Sequence, residues 1–313
     1  MVRKNETKEA AARAAKEGNR WFSYTSSTET QRLWPRLMES RADVPEIYLR
    51  SGAFDGEVFP YAVFFPENVV FVNGRAVKTR QKMVAFYAVD PRGPRIAVLE
   101  NVRAAVERTD HPLDQIQSLR VEDVLLSAVV SIRSPSVSSR IGFNSVRDNL
   151  FQPVIEVVRN RFNRREGFPA GVPSGGEPTG IRKKLAAVPR ISLKFVNYGA
   201  KSLLPGQDVR AALFRESVNM KTLRKGLFRL IDHFSAPVLL LKTDGELIAV
   251  EEPAKIRTRK KMEYGGIFTF IPLDKVSHTS IEGSAPAKLV IRLTGGGTAQ
   301  FSFPDAEGLD VFL

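Results

Sequence analysis

Short apolar runs follow one another along most of the chain, and nearly all are of strand length. In the first half they cover 46–54, 58–65, 69–72, 75–78, 82–89, 95–100, 116–121, 124–133 and 140–143. Runs of four to eight β-branched and aromatic residues bounded by Gly, Pro, Asn or Asp predict strands. Asn73-Gly74, between VVFV and RAVK, is the strongest turn signal, because both residue types accept the positive φ of a two-residue hairpin. Asp90-Pro91-Arg92-Gly93 predicts a second tight connection. Only at 148–162 does the period change to a helical one, with Leu150, Phe151, Val154, Ile155, Val158 and Phe162 on one face and Pro153 in the first turn.

The same reading resumes later, with strands expected at 208–216, 238–243, 246–252, 268–273, 276–281, 288–293 and 298–303. Gly295-Gly296-Gly297 is expected to be a hairpin tip between the last two. One helix is expected at 219–234, where Met220, Leu223, Leu227, Leu230, Ile231 and Phe234 share a helical stripe. Between the halves, NRREGFPAGVPSGGEPTGIRKKLAAVP is dense in Gly and Pro without apolar period, which predicts a linker over 164–190. Residues 1–40 combine a polar Ala/Glu/Lys/Arg tail with an aromatic segment holding Trp21, Phe22, Tyr24 and Trp34, expected to pack on the first unit. The domain plan is therefore a tail at 1–40, a first unit at 41–163, the linker, and a second unit at 191–313.

The two halves share words as well as plan. AVDPRGPRIAVLE parallels KTDGELIAVEE, HPLDQIQSL parallels IPLDKVSHT, and VSIR parallels VIRL, in the same order, which suggests an internal duplication. The hairpin LLLKTDGELIAVEE, the phrase YGGIFTFIPLDKVSHTSI and, in the first half, RIGFNS followed by a helix resemble the bacterial pleckstrin-homology-like (PH-like) domains. Pro112-Leu113-Asp114 and Pro272-Leu273-Asp274 match the Pro-Leu-Asp strand phrase that follows the hairpin in that family and precedes its penultimate strands. The resemblance covers about two thirds of the chain. It implies an α+β, mainly β fold: two PH-like β-barrels with capping helices, joined by the Gly/Pro-rich basic linker. The second half ends in DAEGLDVFL, too short for a closing helix, so the helix at 219–234 is expected to cap that barrel.

Composition narrows the functional classes. The 313 residues are 43% hydrophobic and 26% charged, as in globular proteins, and the absence of cysteine excludes disulfides, thiolate metal sites and a cysteine nucleophile. The opening residues carry no apolar run of a secretory signal, and no run approaches the ~18 residues of a membrane span. A cytoplasmic location, with peripheral membrane contact as a variant, is the expectation. Net charge is +13 and the pI about 10.0, which favours polyanionic partners. The excess is local: KIRTRKK places Lys255, Arg257, Arg259, Lys260 and Lys261 between two expected strands, a loop able to grip phosphates. The helix at 219–234 would present Lys221, Arg224, Lys225 and Arg229 away from its apolar stripe, as an interfacial helix does, although packing on its own domain is the commoner arrangement.

Signals for catalysis are weak. His111, His233 and His278 have no second histidine at ligand spacing, and Asp110-His111 and Asp232-His233 are sequence neighbours, which is not how a carboxylate orients an imidazole. No phosphate-loop, dinucleotide or nucleophile-elbow motif is present. Glu251-Glu252 and Asp244 with Glu246 are expected to be ordinary exposed acids, and Phe162 and Phe168 beside Arg159, Arg161, Arg164 and Arg165 make a weak stacking platform for nucleic acid. The expectation is a non-catalytic binding or scaffolding protein without cofactor or metal, docking a protein partner or an anionic membrane. Nucleic-acid binding through the basic linker and loops is the alternative.

Overall fold

The computed structural model describes residues 32–72, 75–103, 105–124, 126–164, 180–216, 218–219, 222–225, 228–231, 234–253 and 265–313. The first half contributes β1 (Arg36–Met38), a short helix α1 (Glu46–Leu49), β2 (Tyr61–Phe65), β3 (Val69–Val72), β4 (Arg75–Lys78), β5 (Lys82–Tyr87), β6 (Arg95–Val102), β7 (Ala105–Pro112), β8 (Ser118–Val124), β9 (Ser127–Arg133), β10 (Ser138–Asn144) and α2 (Gln152–Phe162). Two helices follow, α3 (Ile181–Ala186) and α4 (Leu193–Lys201). The second half supplies β11 (Ala211–Arg215), β12 (Val218–Asn219), β13 (Thr222–Lys225), β14 (Phe228–Ile231), β15 (Phe234–Ser235), β16 (Val238–Lys242), β17 (Glu246–Glu251), β18 (Gly265–Pro272), β19 (Val276–Glu282), β20 (Ala287–Leu293) and β21 (Thr298–Phe303).

The fold is mainly β and its sheets are antiparallel and open. One sheet of five strands has the order β1-β2-β5-β6-β7, and β19-β20-β21 form a sheet of three. Between them lies a sheet of seven, β10-β9-β8-β18-β17-β16-β11, which takes three strands from the first half and four from the second. The expected closed barrels are therefore absent among the described residues, and the halves share a sheet. The join is β8 with β18, in register from Gly265 opposite Val124 to Phe270 opposite Leu119. Gly265 makes the close approach possible: its φ is +149°, and a Cβ there would stand 2.2 Å from the Asp123 carbonyl oxygen.

Strands β16, β17 and β18 read as continuous apolar runs because the shared sheet is covered on both faces there. Leu239, Leu241, Ile248, Val250, Phe268 and Phe270 face one core that also holds Val63, Phe65, Val84, Ile96, Phe143 and the buried faces of α2, α3 and α4. Leu240, Leu247, Ala249 and Ile271 alternate with them and face a second core against the three-stranded sheet. A third, smaller core lies on the far side of the five-stranded sheet, around Tyr48, Phe64, Met83 and Leu99. Helix α2 behaves as its period predicts, with Pro153 in its first turn and Phe151, Val154, Ile155, Val158 and Phe162 buried.

Helix α2 also carries the ion pair that ties it to the second half. Arg159 Nε and Nη2 donate to the Glu246 carboxylate on β17 at 3.3 and 2.5 Å, and both side chains are buried. Gln207 Nε2 donates to the same carboxylate at 2.7 Å, Asn163 Nδ2 at 3.3 Å, and the guanidinium carbon lies 3.9 Å from the centre of the Phe270 ring. A buried pair holds only when its remaining donors and acceptors are satisfied, and here they are.

Several expectations are corrected. The strand expected at 46–54 is instead α1 and its following turns: Pro45 starts it and the Tyr48 amide donates to the Pro45 carbonyl at 2.9 Å. The helix expected at 219–234 is replaced by paired strands, β13 with β14 and β12 with β15. Apolar residues at 223 and 230 fit a helical stripe, yet they pair across a hairpin whose register, Lys225 opposite Phe228, spans Gly226, a poor helix former. Arg224, Lys225 and Arg229 thus lie on strands, Lys221 falls outside the described residues, and the described residues of 219–234 include no helix to cap a barrel. Part of the expected linker is α3, with Ile181 and Leu185 buried, and α4 was not anticipated at all. Strand β7, AVERTDHP, was also missed, because an edge strand rich in charge lacks the apolar alternation that marks a strand. Asn73-Gly74 lies outside the described residues, though Val72 is opposite Arg75 across it.

Replacing Arg159 by Ala leaves the Glu246 carboxylate buried without its partner, which costs about 3–5 kcal/mol in urea unfolding. The paired change Arg159→Met with Glu246→Leu is expected to recover most of that loss. Equal losses in the single and double variants would show that packing alone, and not the ion pair, joins α2 to β17.

Candidate functional site

The two ends of the seven-stranded sheet differ in chemistry. At one end the strands β17 and β18 stop and start at Glu251 and Gly265, and the connection between them carries Lys255, Arg257, Arg259, Lys260 and Lys261, which lie outside the described residues. The acids that flank this connection are already engaged. Glu252 accepts from Lys194 of α4 at 2.9 Å, and Glu251 lies 3.9 Å from Arg120 of β8. Burial raises the pKa of Glu251; Arg120 partly opposes this and the neighbouring carboxylate of Glu122 adds to it. Glu122 in turn is held by Arg120 at 3.3 Å and Arg140 at 3.4 Å, so a row of two acids and two arginines crosses β17, β8 and β10.

Helix α4 lies across this same end. Lys194 reaches Glu252 beside β17, Tyr198 packs edge-on to Phe268 of β18 at 5.7 Å, and Lys201 acts on Asp123 of β8. Burial raises the pKa of Asp123, and the charge of Lys201 opposes that rise. Three apolar side chains stand out here. Leu193 at the start of α4, Leu126 in the β8–β9 turn and Val146 after β10 are 75%, 59% and 46% exposed. The Ser145 amide donates to the Leu126 carbonyl at 3.0 Å, which sets Leu126 and Val146 side by side.

The opposite end is formed by two turns that share the word Pro-Leu-Asp. Pro112 ends β7 and Leu113–Gln115 make one turn of 3-10 helix before β8; Pro272 ends β18 and Leu273–Lys275 make another before β19. Both turns line a cleft of about 340 Å³ together with the C-terminal end of α2. Its lining consists of the buried side chains Leu113, Ile116, Phe162 and Pro272 and the charged ones Asp114, Asp274, Arg161, Arg164 and Lys275. The two turns are drawn together by the β8–β18 join and by the β20–β21 tip, where Gln117 donates to the Thr294 carbonyl and the Thr294 amide donates to the Lys275 carbonyl at 2.8 Å.

The sequence-flagged groups are distributed otherwise. Asp244 is exposed, as expected, and forms a bidentate contact with Arg210 at 2.6 and 3.1 Å, whereas Glu246, expected to be exposed, is the buried partner of Arg159. No cluster of three or more potential ligands occurs among the described residues. Gly295 and Gly296 adopt positive φ at the β20–β21 tip, as a hairpin requires. His233 lies outside the described residues, His278 is exposed on β19, and His111 is fully buried between Ser134 Oγ and Ser139 Oγ, at 2.9 and 2.8 Å. Trp21, Phe22, Tyr24 and Phe168 also fall outside the described residues, while Trp34 lies under the Arg147 guanidinium at 5.6 Å. The cleft was not anticipated as a site. The repeated Pro-Leu-Asp words were its signal, but they carry no hint that the two turns meet. Compared with known proteins, the chain matches no family model and no curated protein.

Burial pushes the pKa of His111 down to about 4, with Asp110 partly opposing, so the imidazole is neutral and one serine donates to it while it donates to the other. In the unfolded chain the ring takes up its proton near pH 6.5, so the unfolded state binds more protons between these values and stability falls as pH drops from about 6.5 toward 4. The displacement corresponds to about 3 kcal/mol. His111→Gln is expected to flatten that part of the stability profile in urea titrations at stepped pH; an unchanged slope would mean that carboxylates alone set it.

Proposed function

We propose that the protein is a non-catalytic binding module, built as a tandem of PH-like units, that docks on an anionic membrane surface. What supports the tandem is the element order: β5-β6-β7, a Pro-Leu-Asp turn and β8-β9-β10 in the first half answer β16-β17-β18, a Pro-Leu-Asp turn and β19-β20-β21 in the second. Fold alone does not name a ligand, so the reading rests on one end of the shared sheet. The carrying observation is that Leu126, Val146 and Leu193 are exposed at the end where β17 and β18 are connected by a segment with five cations. Apolar side chains that insert below the headgroups, ringed by Lys and Arg that meet the anionic lipids, are the two signals a peripheral protein needs. Lys201 and Arg147 add cations to the same end, and the acids Glu251 and Glu252 beside the segment are already paired with Arg120 and Lys194. Catalysis has no part in this reading, since the carboxylates that sequence singled out serve as ion-pair partners within the fold.

No helix among the described residues is long and apolar enough to cross a membrane, so contact would be peripheral. Vesicle flotation with and without phosphatidylserine checks the proposal. The protein is expected to float with anionic vesicles only, and neutralising Lys255, Arg257, Arg259, Lys260 and Lys261 to Gln is expected to abolish flotation, each cation near the surface contributing about 1 kcal/mol. Leu126→Asp with Leu193→Asp is expected to weaken it at least tenfold, since each buried leucine contributes about 1.5–3 kcal/mol. Unchanged flotation in both variants would overturn the reading, as would binding to oligonucleotides in preference to vesicles with a steep fall in rising salt.

A further inference from the structure

Open sheet edges are where one chain can add to another, and folded proteins block them with charge, proline, bulges or brevity. The three larger sheets end in six edge strands. Five are blocked in this way. β1 is three residues long, β7 carries Glu107, Asp110 and Pro112, β10 carries Arg140, β11 carries Arg215, and β19 carries Glu282 and a break in register after Val276. The sixth, β21, reads TAQFSF, six residues in unbroken register with β20 and without charge, proline or bulge.

The register fixes which of its backbone groups are free. The Leu293 amide donates to the Gly297 carbonyl at 2.8 Å, so along the ladder Ala299, Phe301 and Phe303 turn their amides and carbonyls to β20. Thr298, Gln300 and Ser302 turn theirs outward, and these groups have no hydrogen-bond partner among the described residues. The side chains of Thr298, Gln300 and Ser302 are exposed, while Phe301 and Phe303 face the core beneath the sheet.

We propose that β21 is a dimer joint, pairing antiparallel with β21 of a second copy about a two-fold axis at Gln300. In this register Gln300 faces its own counterpart and Thr298 faces Ser302, so every outward amide and carbonyl finds a partner. An axis at Phe301 would instead set Pro304, which has no amide hydrogen, opposite Thr298. The side chains match as well. Neutral polar groups meet on the open face, and on the core face Phe301 comes opposite Ala299 and Phe303 opposite Gly297, large against small. Each copy carries a net charge of +13, so self-association requires a contact without cations, and β21 supplies it. The nearest cations on the open face are Lys288 and Arg292 of β20, beside Ser302 and Thr298. Across the joint they stand three strand spacings apart, about 14 Å. That exceeds the screening length of ~8 Å at physiological salt. This self-match in register, bulk and charge selects a second copy over an unrelated strand, and the two-fold axis uses up both open edges, so assembly stops at two.

Analytical ultracentrifugation of the full chain without lipid tests this independently of the docking surface. A monomer–dimer equilibrium in the micromolar range is expected, because one strand joint buries less than a standard interface. Gln300→Pro removes an amide hydrogen that the β20 ladder does not use, and is expected to abolish the dimer while the folded monomer persists. Gln300→Lys and Gln300→Glu each place like charges opposite one another, and each alone is expected to weaken the dimer about fivefold. An equimolar mixture of the two is expected to restore it. Because the chain has no cysteine, single spin labels report the register. The separation between copies is expected to be shortest for labelled Gln300→Cys, and longer by similar amounts for Thr298→Cys and Ser302→Cys. A monomer at every concentration overturns the proposal. So does a dimer that Gln300→Pro leaves intact, a Lys and Glu mixture no tighter than either variant, or a shortest separation at 298 or 302. Capture of an extended peptide by β21 of a chain that itself stays monomeric also overturns it.

Discussion

Strand β8 belongs to the first half of the chain and β18 to the second, and the ladder between them is the contact on which the architecture depends. It extends three strands of one half by four of the other, so that a single sheet runs through the molecule. Loss of this pairing would expose two strand edges and open the core that holds Phe65 and Phe143 from one half with Leu241 and Phe270 from the other. Gly265 permits the approach of the two backbones, and Arg159 with Glu246 holds α2 over the join. Geometry and charge thus act at the same place. The ladder supplies the hydrogen bonds, and the buried pair specifies which helix lies over it.

The join also explains why the ends of the sheet differ. At the Gly265 end, α4 crosses β17, β18 and β8, and its first residue, Leu193, stays exposed with Leu126 and Val146 near the connection rich in Lys and Arg. At the other end, antiparallel pairing brings the start of β8 beside the end of β18, so the turns before β8 and after β18 meet. One end presents the exposed apolar side chains Leu126, Val146 and Leu193, and the other a recess. Antiparallel register produces both from the same ladder, because the strand that begins at one end must finish at the other.

Much of the fold was legible locally. Strands β16, β17 and β18 fall where the apolar runs place them, since residues in a sheet covered on both faces form continuous apolar stretches, and β20 and β21 show the alternation of a sheet covered on one face. Helix α2 was legible because five of its apolar positions share one face. Residues 219–234 were misread because their apolar spacing suits either a helix or a hairpin, and tertiary pairing chose the second. Strand β7 and helix α4 were missed for opposite reasons: the strand is too charged to show its period, and the helix is too short for its stripe of Phe195, Val196, Gly199 and Ala200 to stand out.

The sequence by itself determined which segments extend, where the chain turns, and that its positive charge gathers in a few stretches, because these follow from side-chain type and spacing within a few residues. It did not determine that the halves share a sheet, that Arg159 finds Glu246, or that Asp114 and Asp274 flank one cleft with Arg161 and Arg164. Those pairings join residues far apart in sequence, 87 positions for Arg159 and Glu246, whose meeting depends on which strand edges are left open once each half has formed its own hairpins, and only the assembled sheet decides that.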